Sequence, residues 1–194
     1  MIRRTFLCLS LLMVGLDGIS AQQPVTADPW FGPSPRPRDF RPALLPWNTF
    51  SVEFPNGWEL VRGYGIILVT ATERMRGNVP GAAIVVEHNA LVEPLGPQEI
   101  DTKLAELELE DVIKVREPGG QNFRSEAKEV NKRRFVFIQY SRPGFSGTDR
   151  VSVYVMPVGR VMYRLICIAP EKEVARYQPM CAHVANSFKP AANP

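Results

Sequence analysis

Downstream of residue 49, apolar and polar positions alternate through most of the chain. TFSVEFP sets Phe50, Val52 and Phe54 against Ser51 and Glu53, which predicts a strand with one buried face. Asn56 and Gly57 then turn the chain into WELV, GYGIILVTATE starts another strand, and AAIVVEHNALV supplies a fourth. After turn residues Pro118, Gly119 and Gly120, the period of two resumes in NFRSEAKEV, RRFVFIQYSR, DRVSVYVMP and VMYRLICIAP. Short turns join the last three, so they read as an antiparallel meander. Phe135, Phe137 and Gln139 oppose Val136, Ile138 and Tyr140, and apolar groups on both faces call for a sheet covered on both sides.

Two segments carry the helical period instead. PLGPQEIDTKLAELELEDVIKV predicts a helix from Pro97, with Ile100, Leu104, Leu107 and Val112 on one face and Glu99 and Asp101 at its positive end. EKEVARYQPMCAHVANSF places Val174, Tyr177, Cys181, Val184 and Phe188 on one face, which should rest on the sheet. The predicted class is α+β, a central antiparallel sheet with helices on both faces.

The beginning of the chain follows neither period. Arg3 and Arg4 precede an apolar run from Phe6 to Leu16, with small residues at Ser20 and Ala21, the order of a secretory signal. The run is shorter than the roughly 20 residues that cross a bilayer, so a cleaved signal over 1–21 is expected, with no stable transmembrane segment afterwards. Residues 22–48 hold seven prolines, and read either as a tether or as an arm whose Trp30, Phe31, Phe40, Leu44, Leu45 and Trp47 pack on the domain or a partner. Residues 49–194 form the domain. Of the 194 residues, 23 are Lys or Arg and 20 Asp or Glu; loss of Arg3, Arg4 and Asp17 lowers the net charge from +3 to about +2. So small an excess gives no argument for nucleic acid, and Lys132, Arg133 and Arg134 read as a solvated strand edge.

Signal removal also takes Cys8 and leaves Cys167 and Cys181, one on a strand face and one on the helix face above it. In an oxidising compartment the pair reads as a structural disulfide, with two buried thiols as the alternative. Conventional catalytic machinery is not visible. His88 follows Glu87 in a strand, so the two point to opposite faces, and His183 is two residues from Cys181, off its helix face. No serine lies in a G-x-S-x-G elbow, and the histidines and cysteines lack zinc-site spacing. Glu106, Glu108, Glu110 and Asp111 read as the wet side of the first helix, and GYG and PGG as turns. No catalytic residue, metal ligand or cofactor is assigned.

The order of an aromatic strand, P-x-G-W at Pro55 to Trp58, a mid-chain helix, a meander and a last helix ending in Ser187-Phe188 resembles the PsbP-like family over about residues 49–190. The resemblance implies an α/β/α sandwich and a noncatalytic binding or assembly role. The family includes the extrinsic photosystem II protein, a nuclear-transport factor that binds a small GTPase, and exported bacterial proteins. No matching residues carry over the photosynthetic members' part in retaining calcium and chloride. The expectation is an exported accessory protein, secreted or periplasmic, monomer or homodimer, whose partner is an unknown protein or small ligand. Trp58, Tyr64, Tyr154 and Arg164 are its exposed binding candidates. The competing expectation is an extracytoplasmic hydrolase built on His88 and a carboxylate.

Overall fold

The computed structural model describes residues 40–44, 50–73, 81–91, 109–130, 133–144 and 147–190. Residues 1–21, most of residues 22–48, and Glu106 and Glu108 lie outside them. The chain order is β1 (Phe40–Leu44), β2 (Phe50–Pro55), β3 (Glu59–Arg62), β4 (Ile67–Thr72), β5 (Ala83–Ala90), α1 (Leu109–Arg116), β6 (Gln121–Val130), β7 (Arg133–Gly144), β8 (Gly147–Val158), β9 (Val161–Pro170), a 3-10 turn (Glu171–Glu173), α2 (Val174–Ser187) and β10 (Lys189–Pro190).

Seven strands form one antiparallel sheet in the order β3-β4-β5-β9-β8-β7-β6. It consists of two meanders, β3 to β5 and β6 to β9, zipped together where Ala83 to Ala90 of β5 face Ile168 to Val161 of β9. The chain must therefore pass from the middle of the sheet to its far edge between β5 and β6, and α1 lies on that crossing. α2 covers the other face, which completes the α/β/α sandwich that the alternation predicts.

Each face has its own core. Phe135, Phe137, Tyr154, Tyr163, Leu165 and Cys167 pack toward α2, which buries Tyr177, Cys181 and Val184, three of the positions its spacing singles out. On the reverse face, Val136, Ile138, Tyr140, Val151, Val153 and Val155 pack with Ile113 of α1. Alternating side chains of the same strands thus feed both cores.

β2 departs from the sequence reading. Asn56 and Gly57 do not close a hairpin between β2 and β3; Gly57, at φ 80°, turns a corner between two sheets. β2 instead pairs with β1 and β10 in a three-stranded sheet on the α2 side. Its buried Phe50 stacks on Phe188 at 5.1 Å and meets Tyr163 edge-on at 5.7 Å. Phe40–Leu44, assigned by sequence to the arm, is thus strand β1, and its Phe40 is buried.

Candidate functional site

Tyr64 is where the sequence places an exposed aromatic. β3 and β4 pair from Glu59 opposite Thr72 to Arg62 opposite Val69 and leave Gly63 to Ile66 as the connection. Ile67 N–H donates to the Tyr64 carbonyl at 3.3 Å, and Gly65, the first central residue of that turn, has φ 66°. Glycine takes this conformation without strain, and the turn projects Tyr64 into solvent. Tyr64 is 97% exposed, flanked by Val61 at 51% and Ile66 at 49%. The hairpin is anchored from beneath by His88 N–H donating to the Ile66 carbonyl at 2.9 Å.

The other three binding candidates are buried, which corrects the expected exposure. Trp58 lies under the corner after β2, edge-on to Tyr177 at 6.3 Å, and its carbonyl accepts from Arg41 Nη2 at 2.7 Å. Tyr154 sits among Phe137 at 5.1 Å and Phe135 at 5.6 Å in the α2-side core. Arg164 is drawn into the reverse face by Glu87, its register partner on β5, which accepts from Arg164 Nη2 at 2.5 Å. The structure brings none of the three to the Tyr64 tip.

The Glu87–Arg164 pair is one that sequence reasoning missed. Burial lowers the Arg164 guanidinium from its ordinary value, and the Glu87 carboxylate opposes that shift. Arg164 Nε is buried without a hydrogen-bond partner, so the guanidinium depends on Glu87 for its compensation.

Tyr140 on the same face is raised to about 12, chiefly by burial and further by Glu117. The unfolded phenol ionises near the ordinary value of 10, so the stabilisation is complete below pH 10 and is lost as pH rises through about 12. Tyr140→Phe should therefore make the alkaline fall in melting temperature shallower. Burial also raises Tyr163 and Tyr177, so part of the slope should persist. An unaltered slope in Tyr140→Phe would assign the whole alkaline loss to other groups.

Among the described residues, no nucleophile is paired with either histidine. His88 stands opposite Tyr163 on β9, while its neighbour Glu87 reaches Arg164 across the other face. His183 Nε2 is 2.8 Å from Glu53 Oε2, and its ring stacks on Phe40 at 3.8 Å, so the histidine helps to fasten the small sheet to α2. Among the described residues, no group of three His, Cys, Asp or Glu side chains is placed to hold a metal ion.

Cys167 and Cys181 face each other in the interface between β9 and α2, both buried and both thiols. Burial first, and then the neighbouring Cys181, pushes the Cys167 thiol well above its ordinary value. A small cleft lined by Arg150, Ser152, Ala169 and Gln178 reaches the pair. The Cys167 thiol is thus held protonated beside Cys181 and is not activated for nucleophilic chemistry.

Several solved structures share this architecture. The solution structure of cyanobacterial PsbP (CyanoP) from Synechocystis sp. PCC 6803 is similar with a TM-score of 0.58 and 13% identity, over 78% of this chain and 92% of that one. LpqN, involved in cell envelope biogenesis of Mycobacterium tuberculosis, gives 0.55 and 14% identity over 81% and 98%. A crystal structure from Bacteroides thetaiotaomicron VPI-5482 gives 0.57 and 8% identity over 80% of this chain, which spans 50% of that longer one. No protein-family model and no curated protein matches the sequence. What the chain shares with these proteins is the fold, a PsbP-like α/β/α sandwich.

Proposed function

We propose that this chain is an exported, noncatalytic binding or accessory protein, secreted or periplasmic, and that it engages its partner through the Tyr64 hairpin. The observation that carries the reading is the hairpin end itself, where a tyrosine 97% exposed stands on a hydrogen-bonded turn with half-exposed Ile66, and half-exposed Val61 lies on the adjoining strand. Large apolar groups held in solvent on a fixed scaffold are a binding feature, since folding gains nothing from them there. The shared fold with CyanoP and LpqN supports an accessory role, and the signal-like residues 1–21 support export. The commitments of Glu87 to Arg164 and of His183 to Glu53 support a noncatalytic reading. No helix among the described residues is long and apolar enough to cross a membrane.

The double variant Tyr64→Ser/Ile66→Ser tests the site. Both side chains are surface groups outside the two cores, so stability should change by no more than about 0.5 kcal/mol. Recovery of bound material with the chain from the extracytoplasmic fraction should fall to background. Undiminished recovery by a folded double variant would remove the hairpin from the reading. Cytosolic chain that keeps Met1 to Ala21 would remove export.

A further inference from the structure

Strand β6 forms one edge of the large sheet: β7 lies on one side of it, and the strand order ends there. It is ten residues long, against four for β3 at the other edge. From Gln121 to Glu129, Phe123 and Lys128 are partly covered and the other residues are exposed. In an antiparallel pair each strand directs alternate N–H and C=O groups away from its neighbour, so an edge is a row on which another strand can add. Natural edges are blunted by brevity, by proline or by charge. β6 is neither short nor interrupted by proline, and its charges alternate in sign. Its irregularity is confined to one end. The register against β7 shifts between Gln121 and Arg124, where Asn122 takes φ 56°, then runs unbroken from Arg124 opposite Gln139 to Val130 opposite Arg133. Ala127 is the midpoint of that regular run. On the α2 side of the sheet, Glu126 stands opposite Phe137 and Lys128 opposite Phe135, with Glu126 Oε1 2.9 Å from Lys128 Nζ.

From this edge we infer that two copies of the chain pair through β6, antiparallel and centred on Ala127, in a twofold dimer. Reversing the strand about Ala127 exchanges position 126 with position 128. A second copy laid with its Ala127 opposite the first therefore sets Glu126 of each chain against Lys128 of the other. An edge of like charges would repel its own copy in this arrangement, whereas opposite charges directly across an antiparallel pair attract. The match occurs twice, as twofold symmetry requires. It also keeps the pair already formed along each strand, so that each of the four charges faces the opposite sign both along its own strand and across the dyad. Pairing makes the two seven-stranded sheets continuous and leaves both β3 edges, each with its Tyr64 hairpin, at the outer ends. The dimer stands apart from the hairpin reading; together they give one assembly with two binding tips, which strengthens attachment to any partner that offers two sites.

Sedimentation velocity tests the inference. At about 100 μM the chain should sediment with twice its own mass and should dissociate on dilution, as a small edge-to-edge interface requires. Glu126→Lys should weaken association at least about tenfold, because like charges then meet at both places across the dyad. Glu126→Lys/Lys128→Glu should restore it, since the exchanged pair is again self-complementary. Ala127→Cys should link two chains through a disulfide under mild oxidation, because residues directly opposite in an antiparallel pair lie within disulfide reach. Ser125→Cys should not, because the same register sets it against Glu129. Tyr64→Ser/Ile66→Ser should leave the dimer intact, which separates this inference from the hairpin reading. All chains compared are identical outside the named positions, and circular dichroism confirms that each is folded. A monomer at this concentration, an undiminished dimer in Glu126→Lys, an exchanged chain that stays monomeric, or linkage through Ser125→Cys in place of Ala127→Cys would overturn the pairing. Loss of the dimer in Tyr64→Ser/Ile66→Ser would also overturn it, and would move the contact between copies to the hairpin.

Discussion

Replacing Glu87 by leucine is expected to cost about 3 kcal/mol of folding stability, and Arg164→Met about the same, because each leaves its former partner as an uncompensated charge inside the sandwich. Side-chain exposures of 14% for Glu87 and 8% for Arg164 leave little water to screen the charge that remains. For a chain of this length that loss corresponds to a fall in melting temperature of roughly 6–12 °C. The double replacement Glu87→Leu/Arg164→Met should recover most of it. Two apolar side chains of similar volume there would join Ile166 and Ile168, which line the same face, and a buried ion pair exchanged whole is often neutral. Urea unfolding of the four chains closes the cycle. Additive losses in the double variant would show that each side chain is held by something other than its partner.

The same pair marks where sequence reading stops. Glu87 and Arg164 are 77 residues apart, and only the register of β5 against β9 sets them opposite each other. Local alternation does report which residues share a face, and so Phe135 and Phe137, or Val151, Val153 and Val155, are legible as core. It cannot distinguish a solvent face from a second core, because both faces of these strands are covered. Arg164 and Tyr154 therefore read as exposed on the strength of their polar ends, although one is neutralised and the other packed among aromatic rings. Trp58 was hidden for a different reason. Asn56 and Gly57 suit a hairpin, but the three apolar side chains of β2 are buried only by crossing to the α2 side, and the turn becomes a corner with Trp58 beneath it. Tyr64 was legible because its position is set by adjacent residues alone, with Gly63 and Gly65 on either side. The exposure of Val61 and Ile66 near it required knowing that β3 is the edge strand.

Closing the Cys167–Cys181 bridge should raise stability by roughly 3 kcal/mol, the value for a loop of about 15 residues. Helical spacing turns Cys181 inward with Tyr177 and Val184, and strand alternation turns Cys167 toward α2 with Tyr163 and Leu165, so both thiols enter the same core. Bridging removes one proton and one electron from each thiol, and in an extracytoplasmic compartment a thiol–disulfide oxidoreductase or its disulfide donor accepts them. The raised thiol makes that step slow without a catalyst, because attack on a disulfide requires the thiolate. Chain recovered after export should accordingly be lighter by two hydrogens than the same mature sequence, without residues 1–21, made in the cytosol. In urea the exported form should unfold at the higher concentration, and a reductant should erase the difference. Cys167→Ala/Cys181→Ala should match the reduced chain in its indifference to reductant, with a further loss from the two sulfur atoms removed from the core. Exported chain that keeps both hydrogens, or unfolds at the same urea concentration with and without reductant, would return Cys167 and Cys181 to the status of two well-packed thiols.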